Sequence, residues 1–133
     1  MSKTITLLQV GPSPIHGKGL FARQFFARNV RIGEYRGQVL SKKQVIDSKL
    51  DCTYMMAIKR GQKYIDGSDL HRNPMGYINH VPEGRKPNVK FGERKDGRVF
   101  VYAIRNIYPG EELLADYGYN AAAKACSLAS KVH

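Results

Sequence analysis

The feature that most constrains this chain is its glycine punctuation. Thirteen glycines fall between Gly11 and Gly118, and they cut the apolar sequence into short runs rich in Val, Ile, Tyr and Phe. Glycine inside a helix costs about 1 kcal/mol relative to alanine, whereas β-branched and aromatic side chains suit a pleated, half-buried surface. The chain therefore reads as mainly β with many turns, and a helical bundle is excluded. No repeat and no linker divides it, so residues 1–133 are expected to fold as one domain.

Residues 4–10, with Ile5, Leu7 and Leu8, read as a first strand ending at Gly11-Pro12-Ser13-Pro14. Residues 20–27 and 30–40 read as two strands with a turn near Arg28-Asn29, and Gly33 and Gly37 mark bends or close backbone approaches. Ser41-Lys42-Lys43-Gln44 has the form of a capping box and predicts a short helix over 42–50. Residues 54–59 and 63–66 flank Arg60-Gly61-Gln62 as a hairpin, and Asn73-Pro74 opens an irregular or short helical stretch. A second hairpin joins 89–93 to 99–104 across Asp96-Gly97, a dipeptide that accepts positive φ. Tyr108-Pro109-Gly110 is a turn, and the Ala-rich residues 120–131 form a loosely held helix or a frayed end.

Twenty-two Lys and Arg against eleven Asp and Glu leave a formal charge of +11, which attracts phosphates and acidic surfaces. Nucleic acid is a candidate partner; a merely solvated basic surface weighs equally, because the basic residues are scattered. Two cysteines, Cys52 and Cys126, are too few for an all-cysteine zinc site or a disulfide framework. No metal and a reducing compartment are the expectations. No apolar run approaches the roughly 18 residues of a membrane span, and residues 1–10 do not resemble a secretory leader.

Four separated segments carry more. They are His16-Gly17-Lys18-Gly19-Leu20-Phe21-Ala22; Gly33-Glu34-Tyr35-Arg36-Gly37-Gln38-Val39-Leu40; Tyr64-Ile65-Asp66 with Asn73-Pro74-Met75-Gly76-Tyr77-Ile78-Asn79-His80; and Gly110-Glu111-Glu112-Leu113-Leu114-Ala115-Asp116-Tyr117-Gly118-Tyr119. Alone, each has an ordinary reading as a turn, a packed aromatic or a satisfied core histidine. Together and in this order, over residues 11–120, they resemble the SET-domain family of protein lysine methyltransferases, with 121–133 left as a short tail. The match departs from the family at Gly76, where arginine is common, at Val81-Pro82, and in a longer spacing between Asn79 and Asn88 that enlarges a loop within residues 83–86.

The resemblance implies a fold of several small curved sheets with short helices and a pseudoknot-like threading of the C-terminal segment. It implies S-adenosylmethionine as cofactor, contacted by His16, Lys18, Gly19, Tyr54, Tyr77, Asn79 and His80. It makes Tyr117 and Tyr35 the catalytic tyrosines and Tyr35, Phe91, Tyr117 and Tyr119 the walls of a substrate-lysine channel. Two pockets are expected to meet at the Tyr117 phenol. Adjacent residues on an extended chain point to opposite faces, so Glu111 and Glu112 are not read as an acid/base pair.

The implied substrate is a protein lysine, first of all one in a histone tail, with nucleosomal DNA as a further contact and a nuclear location in a eukaryotic or virus-infected cell. Cysteine-rich flanking segments are missing from the pattern, so the lid over the site falls to the tail, a partner protein or a second subunit in a homodimer. Two other readings stand beside this one: a non-catalytic SET-like chromatin module, and a small basic nucleic-acid-binding protein.

Overall fold

The computed structural model describes residues 7–48 and 52–117. Ten short strands make three sheets: β1 (Leu8–Pro12), β2 (Lys18–Ala22), β3 (Arg31–Tyr35), β4 (Gln38–Ser41), β5 (Met55–Ile58), β6 (Lys63–Asp66), β7 (Asn79–His80), β8 (Val89–Glu93), β9 (Val99–Ala103) and β10 (Leu114–Ala115). β1 and β2 pair alone, β4-β6-β5 form the second sheet, and the third runs β3-β9-β8-β10-β7. One α-helix, α1 (Lys42–Ser48), and two 3-10 turns, Lys59–Gly61 and Pro74–Tyr77, complete the described elements.

The local signals form as expected. The Gln44 N–H donates to Ser41 Oγ (3.1 Å) and the Ser41 N–H donates back to Gln44 Oε1 (2.8 Å), the reciprocal pair of a capping box. Val45 is the residue α1 buries, against Leu40, Met55 and Tyr64. In the β8–β9 hairpin, Gly97 takes φ 88° and its N–H donates to the Arg94 carbonyl (2.9 Å).

The long-range pairings differ from the simple reading. The first strand runs to Pro12, which is tolerated at the strand's last position opposite Lys18. Residues 20–27 and 30–40 do not pair with each other: β2 pairs with β1, and β3 pairs with β9. The expected strand 30–40 is split at Arg36-Gly37, where a Cβ on Gly37 would collide with the Asp66 carbonyl. Only glycine lets the chain turn so close to β6.

The threading is visible in the third sheet. β10 lies between β7 and β8 and is parallel to both, so the segment after Gly110 passes through the loop that joins them. The Val81 N–H donates to the Ala115 carbonyl (2.9 Å) and the Asn88 N–H to the Leu114 carbonyl (3.0 Å). Asn88, 2% exposed, adds two side-chain bonds: Oδ1 accepts from the Leu114 N–H (2.8 Å) and Nδ2 donates to the Glu112 carbonyl (2.8 Å). Leu113, Leu114 and Ala115 are almost fully buried, so the threaded strand runs through the main core.

Candidate functional site

The glycine loop before β2 is fastened to the threaded segment by one carboxylate. Glu112 accepts from Ser13 Oγ at both oxygens (2.9 and 2.8 Å) and from Asn79 Nδ2 (2.9 Å). The same Asn79 amide also donates to the His16 (3.1 Å) and Lys18 (3.2 Å) carbonyls. A Cβ on Gly19 would collide with this carboxylate, so glycine is required for close packing there. Gly17 sits at φ 46° with open space where a Cβ would be, which leaves the backbone bare beside a cavity.

That cavity measures about 610 Å³ and is lined by His16, Gly17, Lys18, Tyr35, Tyr54, Tyr77, Asn79, His80 and Tyr117, with residues 52–53, 55–56, 76 and 78 completing its wall. Five stretches far apart in sequence thus converge on one space. Gly19, expected beside it, stands behind the loop against Glu112 instead. Cys52 is on the rim.

Two tyrosines reach the cavity with their hydroxyl protons committed to backbone carbonyls. The Tyr117 O–H donates to Ile78 (2.6 Å), and the Tyr35 O–H donates to Tyr54 (2.6 Å). The Tyr117 N–H donates to His80 Nδ1 (3.1 Å), which fixes the orientation of the imidazole. Burial pushes both phenols well above the ordinary tyrosine range; Asn73 opposes this at Tyr35, and the nearby Tyr35 and Tyr54 reinforce it at Tyr117. Neither tyrosine is ionised at neutral pH, so each offers neutral oxygen lone pairs and no base.

Phe91 lies between the two tyrosines, edge-on to Tyr35 (centroids 5.9 Å) and tilted on Tyr117 (5.2 Å). It backs both rings without lining the cavity. Tyr35 also lines a second cavity of about 640 Å³, with Glu34, Arg36, Val39, Ile58 and Ile65 among its neighbours. The expected meeting point of two pockets was Tyr117; the residue common to both is Tyr35, because the Tyr117 hydroxyl is drawn inward to Ile78. Tyr119 and the tail lie outside the described residues.

The departures from the family pattern have a local explanation. A Cβ on Gly76 would come within 2.6 Å of Leu70 Cδ2 and 3.4 Å of Tyr54 Cδ1, so a long side chain there would displace the cavity wall. Residues 83–86 are exposed, and none of residues 81–87 lines the cavity. Sequence reasoning overlooked Glu112, Asn88 and Asn73. Asn73, 1% exposed, bonds the Arg36 N–H (3.0 Å) and the Gly67 carbonyl (3.0 Å) around the Tyr35 ring. A polar residue among apolar neighbours, as at Asn88-Val89, is the available signal for such buried fasteners.

Among the described residues no group of three His, Cys, Asp or Glu is placed to hold a metal, and no helix is long and apolar enough to cross a membrane.

The SET domain profile matches residues 17–118. The chain is 29% identical over 115 residues to the histone-lysine N-methyltransferase MEDEA of Arabidopsis thaliana, covering 83% of this chain and 16% of that protein. It is 35% identical over 108 residues to the histone-lysine N-methyltransferase set-17 of Caenorhabditis elegans, covering 79% and 38%. The chain thus spans well under half the length of these relatives. Among solved structures, ctPRC2 in an autoinhibited conformation bound to S-adenosylmethionine superposes with a TM-score of 0.72 at 23% identity, over 92% of this chain and 17% of that one. The methyltransferase domain of human PR domain-containing protein 2 gives 0.68 at 22% identity, over 86% and 79%.

Proposed function

Because the chain belongs to the SET-domain family, we propose that it transfers a methyl group from S-adenosylmethionine to the ε-amine of a protein lysine. The observation that carries this reading is the convergence of the His16–Lys18 backbone, Asn79, His80 and Tyr117 on one cavity. Its volume falls in the range of small-molecule sites, about 300–1,000 Å³. Bare backbone at Gly17, the His80 imidazole and the Tyr54 and Tyr77 rings suit an adenosyl group and an amino-acid moiety. When bound, S-adenosylmethionine supplies a methyl group on a cationic sulfur.

The chain's own residues align the amine and exclude water. A free lysine, with a pKa of about 10.4, is mostly protonated at neutral pH, and a desolvating wall favours its neutral form. Tyr35 and Tyr117 provide such a wall, and Phe91 packs behind both rings. Tyr35 borders both cavities, so the lysine enters past it from the second cavity toward Tyr117. The Tyr117 oxygen, its proton held by Ile78, turns lone pairs toward developing positive charge, and aromatic faces hold the methylated cation. His16, Lys18, Tyr54, Tyr77, Asn79 and His80 serve the cofactor, and Gly19 serves it indirectly through its packing on Glu112.

The substrate we favour is a histone-tail lysine, because both curated relatives named above are histone-lysine methyltransferases; a nuclear location follows from that substrate in a eukaryotic cell. The non-catalytic alternative is favoured if the altered loop closes the cofactor cavity, and residues 81–87 do not line it. Incubation with methyl-labelled S-adenosylmethionine and mixed histones tests the proposal. Tyr117→Phe is expected to lose about 100-fold or more in turnover while S-adenosylhomocysteine binding stays within a few-fold by calorimetry; an unchanged rate refutes the catalytic assignment. His80→Ala is expected to weaken that binding.

A further inference from the structure

The outer face of β3, β9 and β8 gathers arginines, and two of them, Arg31 and Arg94, line neither of the two cavities. Three guanidinium carbons stand over one ring, Phe100: Arg31 at 4.6 Å, Arg98 at 5.0 Å and Arg94 at 5.8 Å from its centroid. A bulge puts Arg31 there. β3 slips by one residue between Arg31 and Gly33, so Ile32 turns to the core while Arg31 joins Glu34, opposite Tyr102 and Phe100.

Like charges do not collect around one ring without a reason. Glu34 takes Arg98 in a two-pronged pair (3.1 and 2.9 Å) and also stands 3.6 Å from Arg36. Arg31 and Arg94 have no carboxylate within 4.0 Å among the described residues. Stacking on a ring fixes a guanidinium plane and leaves its edge N–H groups free for an outside acceptor, and this planar fork matches phosphate oxygens. Lys90 projects from β8 on the same side, opposite Tyr102.

We propose that this face docks on the phosphate backbone of double-stranded DNA, with Arg31 and Arg94 as its two principal contacts. Phe100 is only 5% exposed, covered by its arginines, so it offers no platform on which single-stranded bases could stack. The described α-helix packs on the other small sheet, β4 and β6, so among the described residues no helix on this face reaches into a major groove. Contact is therefore with backbone phosphates and is independent of sequence. It agrees with the net charge of +11 and does not depend on the methyl-transfer reading.

The test is fluorescence anisotropy with a labelled random-sequence duplex, without cofactor, across a salt series. Arg31→Ala/Arg94→Ala is compared with Lys42→Ala/Arg72→Ala, which removes the same charge elsewhere. The first pair is expected to weaken binding about 10-fold or more and to reduce the slope of log K against log salt by about 2, while the control stays within about 3-fold. Arg31→Lys/Arg94→Lys should recover most of the slope. Equal losses in the two alanine pairs, absence of duplex binding by the parent chain, or binding of these arginines to a polyglutamate peptide but not to DNA would each overturn the proposal. Methylation of a free peptide should be unchanged in Arg31→Ala/Arg94→Ala, which separates this result from a failure of the catalytic reading.

Discussion

Replacing Asn88 with alanine should unfasten the threaded strand. The side chain is 2% exposed and its two bonds hold backbone groups of the segment that passes through the β7–β8 loop, the Leu114 N–H and the Glu112 carbonyl. Alanine leaves both without a partner in a site too tight for ready hydration. An orphaned buried donor or acceptor costs about 1–3 kcal/mol, so the pair predicts a loss of about 2–6 kcal/mol out of a total near 5–15 kcal/mol. The backbone bonds of residue 88 to Leu114 and Ile104 remain, which caps the loss at that range. With a urea m-value of about 2 kcal/mol per M, the unfolding midpoint should fall by about 1–3 M at unchanged slope. Val39→Ala, on an exposed β4 position, should stay within about 0.5 kcal/mol. Amide exchange at Leu114 should accelerate in step with the loss. If Asn88→Ala costs under about 0.5 kcal/mol, the side-chain bonds do not secure the threading and the reasoning fails.

Gly19→Ala drives a methyl group into the Glu112 carboxylate and should cost about 1–3 kcal/mol and weaken S-adenosylhomocysteine binding, read by thermal melting and calorimetry. Glu112→Gln keeps the volume but turns an amide toward the Ser13 and Asn79 donors; cofactor affinity should drop several-fold with the melting point lowered, and wild-type affinity would show that the clamp is not needed. The phenols of Tyr35 and Tyr117 are pushed up by burial, so the stability they contribute is complete below the ordinary tyrosine pKa of about 10 and is lost as pH rises through their raised folded values. In an alkaline absorbance titration these two should ionise last, together with unfolding, and Tyr35→Phe should remove one late-titrating phenol. Glu34 behaves in the opposite sense: its bond to Arg98 lowers its pKa, so Glu34→Gln should narrow the stability gap between pH 7 and pH 3, by less than about 1 kcal/mol because Arg98 is exposed.

The chain sequence alone determined the features whose causes are local. A capping box closes within four residues at Ser41 and Gln44, and Asp96-Gly97 turns a hairpin because only neighbours need agree on its geometry. The cavity residues were legible for a different reason: His16, Tyr35, Asn79, His80 and Tyr117 sit in short segments whose order resembles one family. The tertiary structure decided which strands meet. Residues 20–27 and 30–40 carry equal strand signals, and nothing local says that one joins β1 and the other β9, since pairing is settled by which distant faces bury together.

The same holds for Glu112. Beside Glu111 it reads as one of two interchangeable surface acids; it becomes the fastener of the glycine loop only once β10 has passed between β7 and β8 and brought its carboxylate to Ser13 and Asn79. Arg31 follows suit, because a one-residue bulge in a strand pairing, invisible in a chain read one residue at a time, chooses which side of the sheet it faces. Contacts within a turn are written in the order of residues, whereas contacts across the fold depend on the net balance of burial and chain entropy over the whole molecule.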